Sequence, residues 1–556
     1  MNSKKIMRVI IKILLSAFAI FILFWFKLPA INLRSTDFWE FLGISIVICV
    51  VINAFSQIIG FFKQFSDNSK KGFRVEGEKT KFSLKNFSKS IVGAVGAVIA
   101  IALFSAIASL IGCEMFNSGS YNKLITLENS DFVKDVSEIS QSQIPVVDRD
   151  SAERLGRRKL GEMSDLVSQF EIADNYTQIN YKNRPTRVTP LEYGDIIKWF
   201  NNQSQGLPAY ISVDMTTQET TLVRLKEGMK YSESEILMRN INRYLRFKYP
   251  FKIFDNISFE IDENGTPFYV ASTVKFRIGL WSGRDIGGAV LVNAINGESR
   301  YYDLKDIPTW VDQVFDSDMI ISQLDYNGKY RSGFFNSIFG QKNVVCTTSG
   351  YNYLAIDDDV WLYTGMTSVA SDESNVGFVL VNLRTKQAKY YTVPGAEEAS
   401  AMASAEGQVQ NLKYQSTFPI LLNISNRPTY FMSLKDDAGL VKMYAFVDVE
   451  QYQIVGTGTT VNSARDNYIS KLGAEDIAVE DSTATEKTVS GKIAAINSAV
   501  VGGNTKYYIM IESDESVYTL DISLSDRLPF AKVGDTIEFK AVTNSDKTTI
   551  SGVKIK

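Results

Sequence analysis

The stretch Val290-Leu-Val-Asn-Ala-Ile-Asn-Gly-Glu-Ser-Arg-Tyr-Tyr-Asp-Leu304 decides the fold of this chain. It begins with an apolar strand that ends in Val-Asn, continues through a polar turn, and closes with a second strand that contains two tyrosines. An Asn or Asp at the start of a turn can bond its own backbone a few residues on, so Asn293 has a structural reason to stand there. The stretch therefore predicts a β-hairpin.

The same pattern recurs in three other places, at residues 211–225, 379–393 and, in a weaker form, 445–455. Another apparent strand containing an aromatic residue precedes the last three copies, and helical stretches separate the copies. A helix followed by a three-stranded meander can bury one helix stripe against one face of the sheet. We therefore expect four such units between about residues 191 and 473.

This repeated hairpin resembles PepSY-type and cystatin-like modules, which are helix-on-antiparallel-sheet units of envelope proteins. The resemblance covers residues 191–473 and implies the binding of peptides or the restraint of proteases. Every residue of the pattern also has a structural role, so the resemblance assigns no functional residue.

Three long apolar stretches, residues 6–26, 38–62 and 90–116, precede the repeats, and each is near the roughly 20 residues that cross a bilayer. Basic residues lie before the first stretch and dominate between the second and third, so both segments are expected to stay cytoplasmic. Three crossings then place everything after residue 116 outside the cell membrane. A cleaved signal peptide is disfavoured by the bulky Phe24-Trp25-Phe26, and lipid attachment at Cys113 by its internal position.

The sequence thus predicts a membrane-anchored α+β protein. Its expected parts are a three-helix transmembrane anchor at 1–116, a stalk with short helices at 117–168, an extracytoplasmic α+β repeat domain at 169–473, a linker at 474–487 and an all-β barrel at 488–556. The barrel rests on five strand-like runs with a short interruption after the third, a pattern that resembles the OB type.

The chain contains no histidine, which excludes Ser-His-Asp and Cys-His nucleophiles and histidine-ligated zinc. Its three cysteines leave Cys346 alone in the outer region, so we expect stability there to come from packing. Residues 1–113 carry 14 Lys and Arg against 5 Asp and Glu, and the remainder is acidic. We therefore expect no nucleic acid partner and no cofactor.

Carboxylates are the general acid-base groups that remain. Asp357, Asp358 and Asp359 form a run, and further pairs follow, but adjacent carboxylates on a turn point to different sides. Asp357 and Asp359 are weak calcium candidates because the spacing of an EF-hand is absent. A carboxylate-dependent envelope hydrolase is accordingly the alternative function and not the leading one.

The best candidates for a binding site are aromatic. Trp281 and Arg284 flank glycines in a loop, and Trp361 and Tyr363 lie on a repeat strand that also fits the core. We expect a non-enzymatic cell-envelope protein whose partners are the lipid bilayer and an envelope protein or peptide. An accessory subunit of a membrane transport or secretion machine is a further alternative.

Overall fold

The computed structural model describes residues 3–69, 84–138, 144–369, 374–474, 485–501, 504–512, 514–525, 527–544 and 547–555. Within these ranges it does not describe the side chains of 53–69, 84–91 and a smaller number of residues in helices and strands, namely 3–5, 8, 374, 474, 485, 486, 500, 501, 504, 515, 521, 523, 542–544, 547–549 and 551. The chain divides into two compact domains, Met1–Asp476 and Ile477–Lys556. The architecture is mixed α+β with several antiparallel sheets, as the sequence predicts. The domain bounds drawn from the sequence alone stay a prediction.

Three helices open the chain, namely α1 (Ser3–Lys27), α2 (Thr36–Ser69) and α3 (Leu84–Gly112). Val9–Lys27 and Val92–Gly112 are long and apolar enough to cross a membrane, and almost none of their residues are buried. The second predicted stretch, 38–62, is helical within α2, but the side chains of its far half lie outside the described residues. Two apolar helices are thus confirmed, and the third crossing stays a prediction.

The third helix ends earlier than the apolar pattern predicts. Cys113 has extended backbone angles (φ −70°, ψ 157°), and a new helix, α4 (Glu114–Asn122), begins after it. The chain then forms β1 (Leu127–Ser130) and α5 (Phe132–Asp135). Ile125 and Phe132 are 2% and 3% exposed, so the segment expected to be a stalk packs against the domain.

The first repeat consists of one helix and an antiparallel sheet, and a short helix interrupts its strands. Its elements are α6 (Arg149–Gly161), β2 (Phe170–Ile172), β3 (Thr177–Tyr181), β4 (Arg184–Tyr193), α7 (Ile196–Asn202), β5 (Leu207–Asp214) and β6 (Thr220–Met229). Strands β3, β4, β5 and β6 pair in chain order, and β2 pairs with the far half of β4.

The second repeat is a helix followed by a plain four-stranded meander. It contains α8 (Ile241–Lys248), β7 (Phe254–Ile261), β8 (Pro267–Ile278), β9 (Ser282–Asn293) and β10 (Ser299–Asp303). The stretch that predicts a hairpin forms one, since Val290 pairs with Tyr301 and Val292 with Ser299 across β9 and β10.

The third and fourth repeats follow the same plan with short extra strands. The third contains α9 (Ser317–Lys329), β11 (Val345–Thr347), β12 (Asn352–Ile356), β13 (Asp359–Ser368), β14 (Ser374–Asn382), β15 (Ala388–Tyr391) and β16 (Gly395–Ala396). The fourth contains α10 (Glu398–Gln408), β17 (Gln415–Ser416), β18 (Ile420–Ile424), β19 (Arg427–Lys435), β20 (Val441–Asp448), β21 (Val455–Gly458) and a closing helix, α11 (Val461–Ala474). Strand β1 adds to the third sheet in parallel with β15.

Each meander therefore has four strands. The prediction of three-stranded units is wrong, because it lacks the first strand of each meander. In the first and fourth repeats that strand joins the next through two residues with positive φ, Lys182 with Asn183 and Ser425 with Asn426. Such two-residue turns match the twist of a hairpin. The helix expected at 191–201 is also displaced, because β4 continues to Tyr193 and α7 begins only after the N-cap Asp195.

One hydrogen-bond pattern recurs in all four hairpins. The Oδ1 atom of the residue that ends the third strand accepts two backbone N–H groups of the following turn, as the sequence predicts for this position. These pairs of bonds are 2.8 and 3.0 Å at Asp214, 2.9 and 3.2 Å at Asn293, 2.9 and 2.8 Å at Asn382, and 3.0 and 2.8 Å at Asp448.

A large core lies between the second and third repeats. Val270 and Leu291 of the second sheet, Leu362 and Val381 of the third, and Ile320 of α9 belong to one buried apolar cluster. Burying each such side chain contributes about 1.5–3 kcal/mol relative to its exposure. The second and third repeats are thus joined by a shared core.

The second compact domain is a five-stranded antiparallel sheet. Its strands are β22 (Thr485–Val501), β23 (Asn504–Ile511), β24 (Asp514–Asp521), β25 (Thr536–Asn544) and β26 (Lys547–Ile555), ordered β24-β23-β22-β25-β26. Buried side chains from all five strands form one core. Among the described residues of this domain no pairing joins β24 to β26, so the sheet does not close and the expected OB-like barrel is not confirmed.

The hairpin turn can be tested at Asn293. Asn293→Ala removes the acceptor of two backbone N–H groups and is expected to lower the free energy of unfolding by about 1 kcal/mol. Asn293→Asp keeps the acceptor, as in the first and fourth repeats, and should stay close to the original stability. Urea unfolding of the three proteins measures both effects; equal loss in both variants would contradict the role of the acceptor.

Candidate functional site

A groove of about 630 Å³ lies between α2, α3 and the turn that joins β8 to β9. This volume is in the range of small-ligand pockets. The wall from α2 includes Trp39, Gly43, Ile44 and Val47, and the wall from α3 includes Val98, Ile101, Ala102, Ser105 and Ser109. Trp281 closes one end.

Helical spacing explains why these side chains share one groove. Gly43 and Val47 lie four residues apart on α2, and Val98, Ala102 and Ser105 follow at steps of four and three on α3. Residues three and four apart lie on the same face of a helix. Gly43, Ala102 and Ser105 are small, and small residues on helices allow another backbone to approach closely.

Three aromatic rings cover the end of the groove. Phe104 of α3 lies between Trp39 of α2, with 4.7 Å between ring centroids, and Trp281, with 6.1 Å. The indole Nε1 of Trp281 donates to the Oγ of Ser109 over 3.3 Å, and that of Trp39 donates to the Leu33 carbonyl over 2.9 Å. The turn of the second repeat is thereby fixed on the helices.

Two carboxylates stand at the mouth of the groove, Asp37 and Glu40 in the first turns of α2. Lys27 Nζ lies 2.9 Å from Glu40 Oε1, and both side chains are more than half exposed. An exposed ion pair of this kind contributes little to stability. Acidic groups in the first turn also interact favourably with the helix dipole.

The structure separates the predicted binding residues into three settings. Trp281 is half-buried and lines the groove. Arg284, three residues later, forms an ion pair with Asp255 and lies 3.8 Å from Asp316, away from the groove lining. Arg284 therefore ties β9 to the N-terminal end of α9.

Trp361 and Tyr363 both lie on β13 in the core of the third repeat. Trp361 is 8% exposed, with Lys389 Nζ 5.8 Å from its ring, and Tyr363 is 0% exposed. Burial, together with the nearby Glu398, raises the pKa of Tyr363 well above its ordinary value. Both residues act in packing in this structure.

The three consecutive aspartates, Asp357, Asp358 and Asp359, lie at the hairpin turn between β12 and β13. Asp357 has a φ of 55°, in the left-handed region that Asp tolerates in turns, and Asp359 begins β13. The two carboxylate oxygens of Asp359 accept from Arg384 over 2.6 and 2.8 Å and from the Asn382 amide over 2.8 Å. Among the described residues, no group of three or more acidic or cysteine side chains could hold a metal ion.

A buried acidic pair joins the first three repeats. Glu260 of β7 accepts from the backbone N–H groups of Asp312 (2.8 Å) and Gln313 (3.1 Å) and from the Ser258 hydroxyl (2.8 Å). Asp312, in the segment before α9, accepts from the N–H groups of Asn180 on β3 (2.7 Å) and Val360 on β13 (3.2 Å). Burial raises the pKa of Glu260 to about 7 and, with the neighbouring Glu260, that of Asp312 well above its ordinary value.

This pair holds the repeats together but lies out of reach of a substrate. Glu260 is 0% exposed and Asp312 is 1% exposed. A hydrolytic pair of carboxyl groups needs access to the bond between them. The pair therefore has a structural role, as a junction between the first three repeats.

Sequence reasoning found Trp281 but missed the rest of the groove. Trp39 and Phe104 lie in apolar stretches, where an aromatic residue gives no signal of its own. The small residues of α3 indicate close helix approach, yet the sequence does not tell which of them face a neighbour and which face open space.

Comparisons with known proteins add no family. No family model matches the chain, and no curated protein matches its sequence. Among solved structures, the polysaccharide lyase Uly1 is 10% identical and aligns over 69% of this chain and 81% of its own, with a TM-score of 0.13. A TM-score this low carries no argument about fold or function.

The acidic junction predicts a pH effect on stability. A carboxyl group whose pKa rises from 4.5 to about 7 on folding contributes stability below pH 4.5, and this contribution is lost as the pH rises to about 7. The loss is about 3.5 kcal/mol at 1.4 kcal/mol per pH unit. Glu260→Gln removes this titration, so the variant should gain stability relative to the original protein between pH 4.5 and 7.

Urea unfolding at several pH values measures the difference between the two proteins. The control is Glu263→Gln, which changes an exposed glutamate three residues along the chain. The control should follow the original protein at every pH. A constant difference between Glu260→Gln and the original protein from pH 4.5 to 8 would contradict the assignment.

Proposed function

We propose that this chain is a non-enzymatic, membrane-anchored cell-envelope protein whose groove between α2 and α3 receives an apolar helix of a partner protein. The observation that carries the proposal is the groove itself, which combines two helix faces, small residues and an aromatic end in one place. The repeats position the partner outside the membrane, and the groove holds its helix.

A helix is the occupant that fits the walls best. Each wall is a row of side chains at helical spacing. Gly43, Ala102 and Ser105 are small and leave room for a third backbone. An added Cβ on Gly43 meets no atom within 4 Å, so the groove is open there. Val47 and Val98 are 49% and 37% exposed and offer apolar contact.

The proposed topology has a cytoplasmic N-terminus and extracytoplasmic repeats. The charge distribution supports it, because basic residues dominate on the expected cytoplasmic side. The helix ends support it as well. The end of α1 contacts α8 through Phe24 and Phe247, whose ring centroids are 5.5 Å apart, and the end of α3 at Gly112 lies against Ser282. A crossing by α2 between them belongs to this proposal.

The alternative hydrolase gains no support from the carboxylates that the sequence suggests. Asp359 is paired with Arg384, Asp436 accepts from the turn at Leu440 and lies 3.4 Å from Lys442, and Glu398 is 1% exposed. Asp372 and Glu373 lie outside the described residues. Binding is therefore the better proposal.

The groove also favours a second candidate function, an accessory subunit of a membrane transport or secretion machine. Such a subunit needs a docking surface on its membrane helices, and the groove lies on them. In this case the partner helix belongs to the machine.

Two finer assignments of fold remain part of the proposal. The C-terminal strand order, in which the first strand pairs with the second and the fourth, supports an OB-like, partly open barrel. The likeness of the repeats to PepSY-type or cystatin-like modules would imply peptide binding by the sheets. The four-stranded meanders keep the helix-on-sheet plan of that likeness.

Photocrosslinking tests the groove in intact cells. A photoreactive amino acid at Val47 or Val98, which line the groove, is expected to give one discrete protein adduct that mass spectrometry identifies. Leu103 and Ile107 are the matched controls, because they lie on α3, are 58% and 57% exposed, and are each two residues from Ser105, which places them on the opposite face from the groove. They should give no such adduct.

A second pair of variants tests whether groove space is needed. Gly43→Leu fills the groove and should abolish the adduct, whereas Gly96→Leu, another helix glycine with open space around it, should not. Adducts of equal yield at Val47, Val98, Leu103 and Ile107, or adducts with lipid only, would contradict a partner helix.

A further inference from the structure

Apolar side chains are exposed in two patches on the repeat domain, and each lies beside the end of one apolar helix. The α7 patch consists of Ile196, Ile197, Phe200, Leu237, Met238 and Phe251, which are between 46% and 69% exposed. The α4 patch consists of Met115, Phe116, Phe335, Ile338 and Phe339, which are between 47% and 81% exposed. Water-facing patches of this kind mark an interaction surface.

The α7 patch is connected to the end of α1 by a chain of contacts. Arg239 donates to the carbonyl of Gln203, at the end of α7, over 2.7 Å. Arg243 donates to the carbonyl of Leu237 over 2.7 Å, and its guanidinium lies 4.3 Å from the centroid of the Trp25 ring. The patch and the last turn of α1 thus share one set of basic side chains.

The loop after α1 extends this connection to Phe251. Arg246 Nε donates to the carbonyl of Leu28 over 2.9 Å, and the Asn32 amide donates to the carbonyl of Phe251 over 2.9 Å. The α7 patch is therefore linked by direct contacts to the end of α1, where α1 would leave a membrane.

The α4 patch is connected in a similar way to the end of α3. Helix α4 begins at Glu114, two residues after α3 ends, and carries Met115 and Phe116. Tyr330 donates to Glu114, and the rings of Tyr121 and Tyr326 lie 4.8 Å apart. The Tyr330 ring stacks on Phe334, which precedes the exposed part of the patch.

We infer that the two patches are bilayer contacts, which insert into the headgroup and upper acyl region and hold the repeat domain flat on the membrane surface. A bilayer explains why both patches lie at the ends of separate apolar helices. Basic and aromatic side chains at the α7 patch are also those that favour a membrane interface. A protein partner would have to cover both patches and leave the helix ends accessible.

The inference rests on the membrane anchoring in the proposed function and is tested on the full chain in phospholipid vesicles. Cys49, Cys113 and Cys346 are replaced by serine, and single cysteines at Phe200, Phe339, Phe18 or Leu440 carry an environment-sensitive fluorophore. All four positions are exposed, with Phe18 on α1 and Leu440 in the turn between β19 and β20. Two sets of vesicles are used, one with a nitroxide quencher near the headgroup end of the acyl chain for Phe200, Phe339 and Leu440, and one with the nitroxide near the end of the chain for Phe18, which lies in the middle of the apolar span Val9–Lys27.

The expected result is quenching at Phe200, Phe339 and Phe18, with at least about twofold more loss of emission than at Leu440, because an interfacial side chain lies within 5–10 Å of the headgroup boundary. Quenching at Phe18 without quenching at Phe200 and Phe339 would overturn the bilayer contacts of the two patches. It would still support the insertion of α1 into the membrane. A blue shift at Phe200 and Phe339 without quenching would also overturn them, since it indicates cover by protein. Absence of quenching at Phe18 would overturn the anchor and this inference together.

Discussion

A single side-chain oxygen at the end of the third strand organises each repeat. It accepts two backbone N–H groups of the next turn in all four copies, from Asp214 to Asp448. Because the side chains of a strand alternate between faces, a hairpin that slipped by one residue would turn its buried face outward. The bonded turn fixes the register, and the register fixes which valines and leucines enter the shared core.

The same residues show how far the sequence predicts the fold. The hairpins are predictable because Val-Asp and Val-Asn are local signals, and the structure confirms all four. The first strand of each meander is not, since β12 and β18 are five-residue runs whose partner is decided by the rest of the sheet. The junction of Glu260 with Asp312 is equally hidden, because nothing local indicates that Glu260 accepts from the backbone N–H group of an acid 52 residues further along the chain.

The candidate site, too, is predictable from the sequence only in part. Trp281 is visible in the sequence as an aromatic residue beside glycines, and the structure places it in the groove. Trp361 and Tyr363 are aromatic as well, but they lie in the core. An aromatic residue on a strand can face either side of its sheet, and the sequence does not indicate which side is buried. The groove exists only where two helices and one turn meet, so it depends on tertiary packing that residue spacing alone does not contain.

The most direct test of the groove is a structure of the full chain purified in mild detergent together with its companions. Cryo-electron microscopy is expected to show a helix of another protein against Gly43, Val47 and Ser105, with Trp281 at its end. A companion that binds elsewhere while detergent or lipid fills the groove would contradict the account.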